Sequence, residues 1–274
     1  MTQSATGNSR LSWGEVALRV AVFVAFALTG AVLAGLIPVE GALRQSVLFT
    51  FTAGALANAI SVRAFEHARL ADFGMGWEPV SGRDLLRGLG CGAGAAVAVL
   101  AAMLLFNLAH FEPAPAGSAG AALATSALLF FGAAGEEMMF RGYAFQLLVR
   151  QLGAFATILP AAVIFGVGHM SNRNATALGV TNTVLLGIVL GFACYRTGAL
   201  WMPIGIHFGW NVMLPLAGAN LSGFTMRVTG YALHPNAGGL LSGGAYGPEG
   251  SVVTTAAAIA LLWAVTRLTG KEAE

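Results

Sequence analysis

The chain has 274 residues, 57% of them hydrophobic and only 9% charged, with a mean hydropathy of +0.75. These values lie outside the soluble globular range and mark a polytopic membrane protein. A net charge of +2 carried on scattered arginines leaves no basic surface for nucleic acid, and Cys91 and Cys194, both in apolar segments, read as small packing residues.

The polar start, Met1 to Ser9, is followed by Arg10, Arg19 and a long apolar run. A cleaved signal has an apolar core of about 7–15 residues. The run from Val20 to Ile37 is longer, so a retained first helix is expected behind a cytoplasmic tail, 1–16. Apolar windows able to cross about 30 Å of hydrocarbon fall near 17–37, 46–63, 87–108, 121–143, 154–170, 178–196, 199–217 and 251–268. The expected fold is therefore all-α, one membrane domain of about eight transmembrane helices. The fourth window has a possible extension to Arg150, and Pro160 and Pro203 soften the fifth and seventh.

With the N-terminus inside, the inner ends hold Arg10, Arg19, Arg63, Arg69, Arg83, Arg87, Arg150, Arg196, Arg267 and Lys271, and the outer ones Arg44, Arg173 and Arg227. This asymmetry predicts that both termini are cytoplasmic. The segment Ala64 to Arg87, with Trp77 and Asp84, reads equally as an interfacial amphipathic stretch or a linker. The Gly-rich tract 218–250 is expected outside; a lid and a disordered connection are both open. The spacings Gly88/Gly92, Gly90/Gly94, Gly187/Gly191 and Gly205/Gly209 allow close helix approach and read as packing.

Three charges interrupt the fourth window, in Gly135-Glu136-Glu137-Met138-Met139-Phe140-Arg141. A charge in hydrocarbon is expensive, so an intramembrane ionisable cluster points to function. On a helix Glu137 and Arg141 are four apart and share a face, with the acid N-terminal to the base. Glu136 lies about 100° round the helix from Glu137 and is poorly placed for the same arginine. It is left as the unpaired carboxylate, available as a general base.

Two more polar clusters fall inside apolar windows: Phe165-Gly166-Val167-Gly168-His169 and His207-Phe208-Gly209-Trp210-Asn211. Each places its outer residues four apart on one helix face, while His67, His110 and His234 fall in loops or at helix ends. Singly, each feature has an ordinary reading: an interfacial histidine, an interhelical asparagine, a structural Glu137–Arg141 ion pair. Together, a glutamate, two histidines and an asparagine on three helices are the parts needed to activate water and hold an oxyanion.

The pattern Glu-Glu-x-x-x-Arg, Phe-x-x-x-His, His-x-x-x-Asn, in that order between Leu123 and Leu214, resembles the CPBP group of intramembrane proteases. That group includes the type II CAAX prenyl endopeptidases and the bacteriocin-processing or immunity (Abi) proteins. The resemblance implies that Glu136 and His169 activate the attacking water, that His207 and Asn211 stabilise the oxyanion, and that Glu137, Arg141 and Phe165 support them. The catalytic helices would be 121–217, the outer loop 218–250 and the last helix 251–268. The group has been described both as metalloproteases and as metal-independent glutamate proteases. This sequence lacks His-Glu-x-x-His, and a catalytic zinc wants three protein ligands. Glu136, His169 and His207 are the set that would supply them, leaving as base only Glu137, already engaged by Arg141; the preferred expectation requires no cofactor, with zinc the alternative.

Hydrolysis in a bilayer needs a wet cavity, expected between the fourth, fifth and seventh windows, with Gly166, Gly168, Gly205 and Gly209 leaving room. Counting 1.5 Å per residue from the window ends places Glu136 and His169 at different heights. The expected partners are the bilayer and a membrane-associated polypeptide substrate. The Ala, Gly and Arg bias points to a prokaryotic inner membrane and away from a prenylated substrate. A proton-coupled transporter using the same residues as a relay, and a catalytically silent immunity protein of the same fold, are the competing readings; no inverted repeat favours the first.

Overall fold

The computed structural model describes residues 11–269; Met1 to Ser9, Arg10 and Lys271, part of the expected tail and charge bias, lie outside them. The helices run in the order α1 (Trp13–Gly35), α2 (Ala42–Ser61), α3 (Ser81–Leu105), α4 (Ala119–Arg141), α5 (Tyr143–Leu152), α6 (Ala154–Gly168), α7 (Ala177–Thr197), α8 (Trp201–Leu216), the single-turn α9 (Gly239–Ser242) and α10 (Val252–Thr269). Their starts are written in the sequence. Ser12 caps α1 in a reciprocal box with Glu15, and the hydroxyls of Ser118 and Thr176 accept the Ala121 and Gly179 N–H groups at the starts of α4 and α7. Gly198, at φ 66°, ends α7 in the left-handed conformation that glycine adopts without strain.

Each of the eight apolar windows is a helix, but two are short. Among the described residues, six helical stretches are long and apolar enough to cross a membrane: α1, 42–66, α3, 119–152, α7 and α10. By contrast, α6 and α8 have 15 and 16 residues and reach about 22–24 Å at 1.5 Å per residue, less than the hydrocarbon thickness. Pro203 does not soften α8, because it lies in the first turn, where an N–H has no intrahelical acceptor. Large apolar side chains such as Leu28, Leu105, Phe155 and Trp263 face outward, as a lipid-facing surface requires.

The fourth window takes the longer of the two forms the sequence left open, with a break inside it. α4 stops at Gly142 and the chain continues as α5 to Leu152, so the apolar stretch extends nine residues beyond the predicted end at 143. Asn58 of α2 spans the break: its Nδ2 donates to the carbonyls of Gly54 (2.7 Å) and Met138 (2.8 Å), and its Oδ1 accepts the Tyr143 N–H (2.7 Å). One carboxamide thus replaces the backbone bonds that the break removes.

The tightest packing is between α3 and α8. A Cβ added at Gly88 would stand 2.2 Å from the Met202 carbonyl oxygen, one at Gly92 2.0 Å from that of Ile206, and one at Gly205 2.3 Å from that of Leu85. The Gly88/Gly92 and Gly205/Gly209 pairs are therefore packing surfaces, and Gly205 and Gly209 do not open a cavity as expected. Gly90 and Gly94 face open space and make no helix contact.

Two loops carry structure that the sequence left open. The tract 218–250 carries the strand β2 (Tyr231–Pro235), which pairs antiparallel with β1 (Ala109–Pro113) in the α3–α4 connection, setting His110 opposite His234. The fold is helical with this one two-stranded ribbon among the described residues, and the outer tract continues through α9 and 3-10 turns at Gly244–Tyr246 and Pro248–Gly250. Between α2 and α3, a π-type turn (Val62–Glu66) and a 3-10 turn (Leu70–Phe73) precede α3, which already contains Asp84 and Arg87. Trp77 packs edge-on against Trp201, whose Nε1 donates to the Gly76 carbonyl. This connection is pinned to the start of α8.

Candidate active site

α4, α6 and α8 converge on a cavity of about 300 Å³, completed by α2, α7 and the outer turn around Ser222. Glu136, Phe165, His169, His207 and Asn211 all line it. The different heights expected for Glu136 and His169 follow from ending the fourth helix too early. Glu136 lies sixteen residues before Leu152, and His169 sixteen after Gly153. The turn between α5 and α6 thus brings them to one depth. Phe140 and Phe165, symmetric about the same turn, meet edge-to-face at 5.2 Å.

Glu137 and Arg141 are fully buried and paired, Arg141 Nη1 to Glu137 Oε1 at 3.2 Å. Arg141 also donates from Nη2 to the Gly187 carbonyl of α7 (3.0 Å) and lies 4.6 Å from the centre of the Phe165 ring. Gly187, expected only to pack, serves as an acceptor as well. The same Glu137 oxygen lies 2.9 Å from His207 Nδ1. A carboxylate paired with arginine can only accept, so Nδ1 carries a proton and Nε2 faces the cavity.

Glu136 stands apart from that network. Its Oε2 is buried, has no hydrogen-bond partner among the described residues, and lies 3.8 Å from His207 Nε2, too far for a hydrogen bond but within ion-pair reach of a protonated imidazole. His169 Nδ1 is 2.8 Å from the Phe165 carbonyl oxygen, four residues back. A carbonyl only accepts, so Nδ1 again carries the proton and Nε2 is the basic nitrogen. Phe165 does more than hold that nitrogen: its ring packs at 4.7 Å on His169 and stands edge-on to His207 at 5.9 Å. The Asn211 carboxamide lines the cavity.

Among the described residues, no group of three or more His, Cys, Asp or Glu side chains is arranged to hold a metal ion. Glu136, His169 and His207, the set a zinc would require, do not form one. His207 commits Nδ1 to Glu137, so only Nε2 would remain for a ligand bond.

A charged residue of the cavity wall escaped the sequence reading. Glu249, 6% exposed, accepts from Trp210 Nε1 at Oε1 (3.2 Å) and from the Ser222 N–H and hydroxyl at Oε2. Burial pushes its carboxyl above the usual range, opposed by these donors. The available signal was that it is the one acidic residue between Glu137 and Glu272. Its setting, Gly-Pro-Glu-Gly, reads as ordinary loop.

A helical membrane protein with an acid–imidazole cavity among its helices is the class that fold and site define. Residues 118–213, from the cap of α4 into the last turn of α8, match the family described as Type II CAAX prenyl endopeptidase Rce1-like. The family expected from the three motifs is the one found. The match supports a CAAX-type intramembrane protease in general, and with it a membrane-associated polypeptide substrate. A comparison with curated proteins gives no match.

Proposed function

We propose that this protein is an intramembrane endopeptidase in which Glu136 and His169 activate water and His207 and Asn211 hold the tetrahedral oxyanion. The observation that carries the reading is the buried, unpartnered Oε2 of Glu136, 3.8 Å from His207 Nε2 in the cavity that also holds His169 and Asn211. A buried carboxylate oxygen that no hydrogen bond satisfies is costly in such a place unless the site uses it.

Water lying between Glu136 and His169 Nε2 loses a proton to Glu136 as its oxygen attacks the peptide carbonyl carbon. The carbonyl π electrons move to oxygen, and that oxyanion accepts hydrogen bonds from His207 Nε2–H and Asn211 Nδ2–H. His207 acts as the imidazolium, since Nδ1–H is already given to Glu137, and Arg141 holds Glu137 in place. Collapse of the intermediate breaks the C–N bond while the proton taken from water passes to the leaving nitrogen. No step runs through a metal. Glu136→Gln keeps the shape and removes the base, so cleavage of an internally quenched CAAX-type peptide in proteoliposomes falls by about 10²–10⁴. Cleavage at the unsubstituted rate overturns the mechanism.

A further inference from the structure

We propose that Glu249 is a positioning residue of the cavity: by holding Ser222 and Trp210 together, it fixes the outer wall against which the substrate chain lies. This rests on the endopeptidase reading above and extends it to a residue beyond the matched segment 118–213.

The geometry is that of a latch with three donors. Trp210 precedes Asn211 on α8, and its indole N–H reaches one oxygen of Glu249. Ser222 belongs to the outer turn closed by the Leu221–Phe224 bridge, and its N–H and hydroxyl both reach the other oxygen. Leu221, Ser222 and Phe224 line the cavity beside Trp210 and Asn211. Glu249 is itself anchored, because Asn182 Nδ2 donates to its backbone carbonyl at 2.7 Å and to that of Ser251 at 2.8 Å. The outer tract is thereby tied to α8 through the Glu249 side chain, and to α7 beside the start of α10 through the Asn182 side chain.

Only a carboxylate suits the position. Its two oxygens accept from both sides, whereas a glutamine would turn an NH2 group toward either the indole N–H or the Ser222 N–H. Glu249→Gln therefore keeps the volume and opens one side of the latch. Trp210→Phe removes the indole donor together with part of a buried ring, and Ser222→Ala the hydroxyl alone. The wall contacts parts of the substrate remote from the reacting bond, so its loss weakens ground-state and transition-state binding alike and appears in KM.

The experiment uses the full-length protein in nanodiscs with two readouts: hydrogen exchange over 219–226, and kinetics on internally quenched CAAX-type peptides with and without a prenyl group. Glu249→Gln is expected to speed exchange over 219–226 and raise KM at least tenfold, with kcat within threefold. Trp210→Phe and Ser222→Ala follow in the same direction by smaller factors. Glu136→Gln instead lowers kcat and leaves exchange over 219–226 unchanged, so failure of the endopeptidase reading is seen separately. If neither peptide is cut, exchange alone decides the latch. Exchange and KM both within twofold of the unsubstituted protein in folded Glu249→Gln overturn the proposal. Should that variant fail to fold, the same result in both Trp210→Phe and Ser222→Ala overturns it.

Discussion

Replacing Arg141 tests whether the buried charge network holds the site together. Its guanidinium, 0% exposed, meets Glu137 at 3.2 Å, the Gly187 carbonyl at 3.0 Å and the face of Phe165 at 4.6 Å. In Arg141→Leu, Glu137 keeps only His207 as a partner. Stranding one member of a buried ion pair costs about 3–5 kcal/mol. The Gly187 carbonyl loses a charged donor, about 1–3 kcal/mol, and the desolvated cation–ring contact adds about 2 kcal/mol. These losses all follow from one guanidinium and are not additive, so the expected total is about 4 kcal/mol. Arg141→Lys keeps the charge, but its ammonium lacks the planar fork that serves Glu137 and Gly187 together, and the expected loss is about 1–3 kcal/mol. Reversible unfolding in mixed micelles measures both. The reasoning is refuted if Arg141→Leu stays within about 1 kcal/mol of the unsubstituted protein, or if lysine is tolerated less well than leucine.

Asn211→Ala removes one proposed oxyanion donor and should lower kcat by about 10²–10³ with KM little changed; single-turnover cleavage of the quenched peptide measures it, and an unchanged kcat removes Asn211 from the mechanism. Gly92→Leu forces a side chain onto the Ile206 carbonyl, which a Cβ alone would approach to 2.0 Å, so α3 and α8 must separate and the yield of folded protein should collapse, whereas Gly94→Leu, facing open space, should be tolerated; equal yields refute the packing argument. The His110–Glu112 contact on the outer ribbon raises the His110 pKa and lowers that of Glu112, chiefly through the hydrogen bond between them. The His110 contribution is thus complete below about pH 6.5 and is lost as pH rises through the raised value, while that of Glu112 is complete above about pH 4.3 and is lost as pH falls through the lowered one. Exchange protection of 231–235, corrected for intrinsic rate, should be higher at pH 5.5 than at pH 8.5; because His234 also lies 3.6 Å from Glu112, the same difference in the double variant His110→Ala, His234→Ala would refute the assignment. Treatment with 1,10-phenanthroline followed by dialysis should leave cleavage intact; loss that added zinc restores would assign the water to a metal.

The polar residues of the cavity were more legible than its geometry, for physical reasons. Charge inside an apolar run is costly enough that Glu136, Glu137 and Arg141 stand out without a fold, and the four-residue spacings of Phe165 to His169 and His207 to Asn211 fix shared faces on any helix. The pairing of Glu137 with Arg141 followed from spacing alone. The second contact of Glu137, to His207 Nδ1, did not, because it joins helices seventy residues apart in sequence. Glu249 was hidden for a similar reason: it becomes a buried acceptor only when the outer tract folds back onto α8.

The α4–α5 break explains how Glu136 and His169 can share a cavity at all. A straight helix ending near 143 would leave Glu136 about 10 Å from the end of the span where the chain turns into α6, and His169 about 22 Å from it. The structure removes that mismatch by continuing the helical path through α5, at the cost of one broken turn at Gly142. No side chain fits at that turn, since a Cβ there would stand 2.2 Å from Asn58 Oδ1. Asn58 in turn satisfies the Met138 carbonyl and the Tyr143 N–H that the break exposes. The position of Glu136, the proposed general base, therefore depends on a glycine and an asparagine that carry no charge and line no part of the cavity. Their role is visible only once α2 lies against α4.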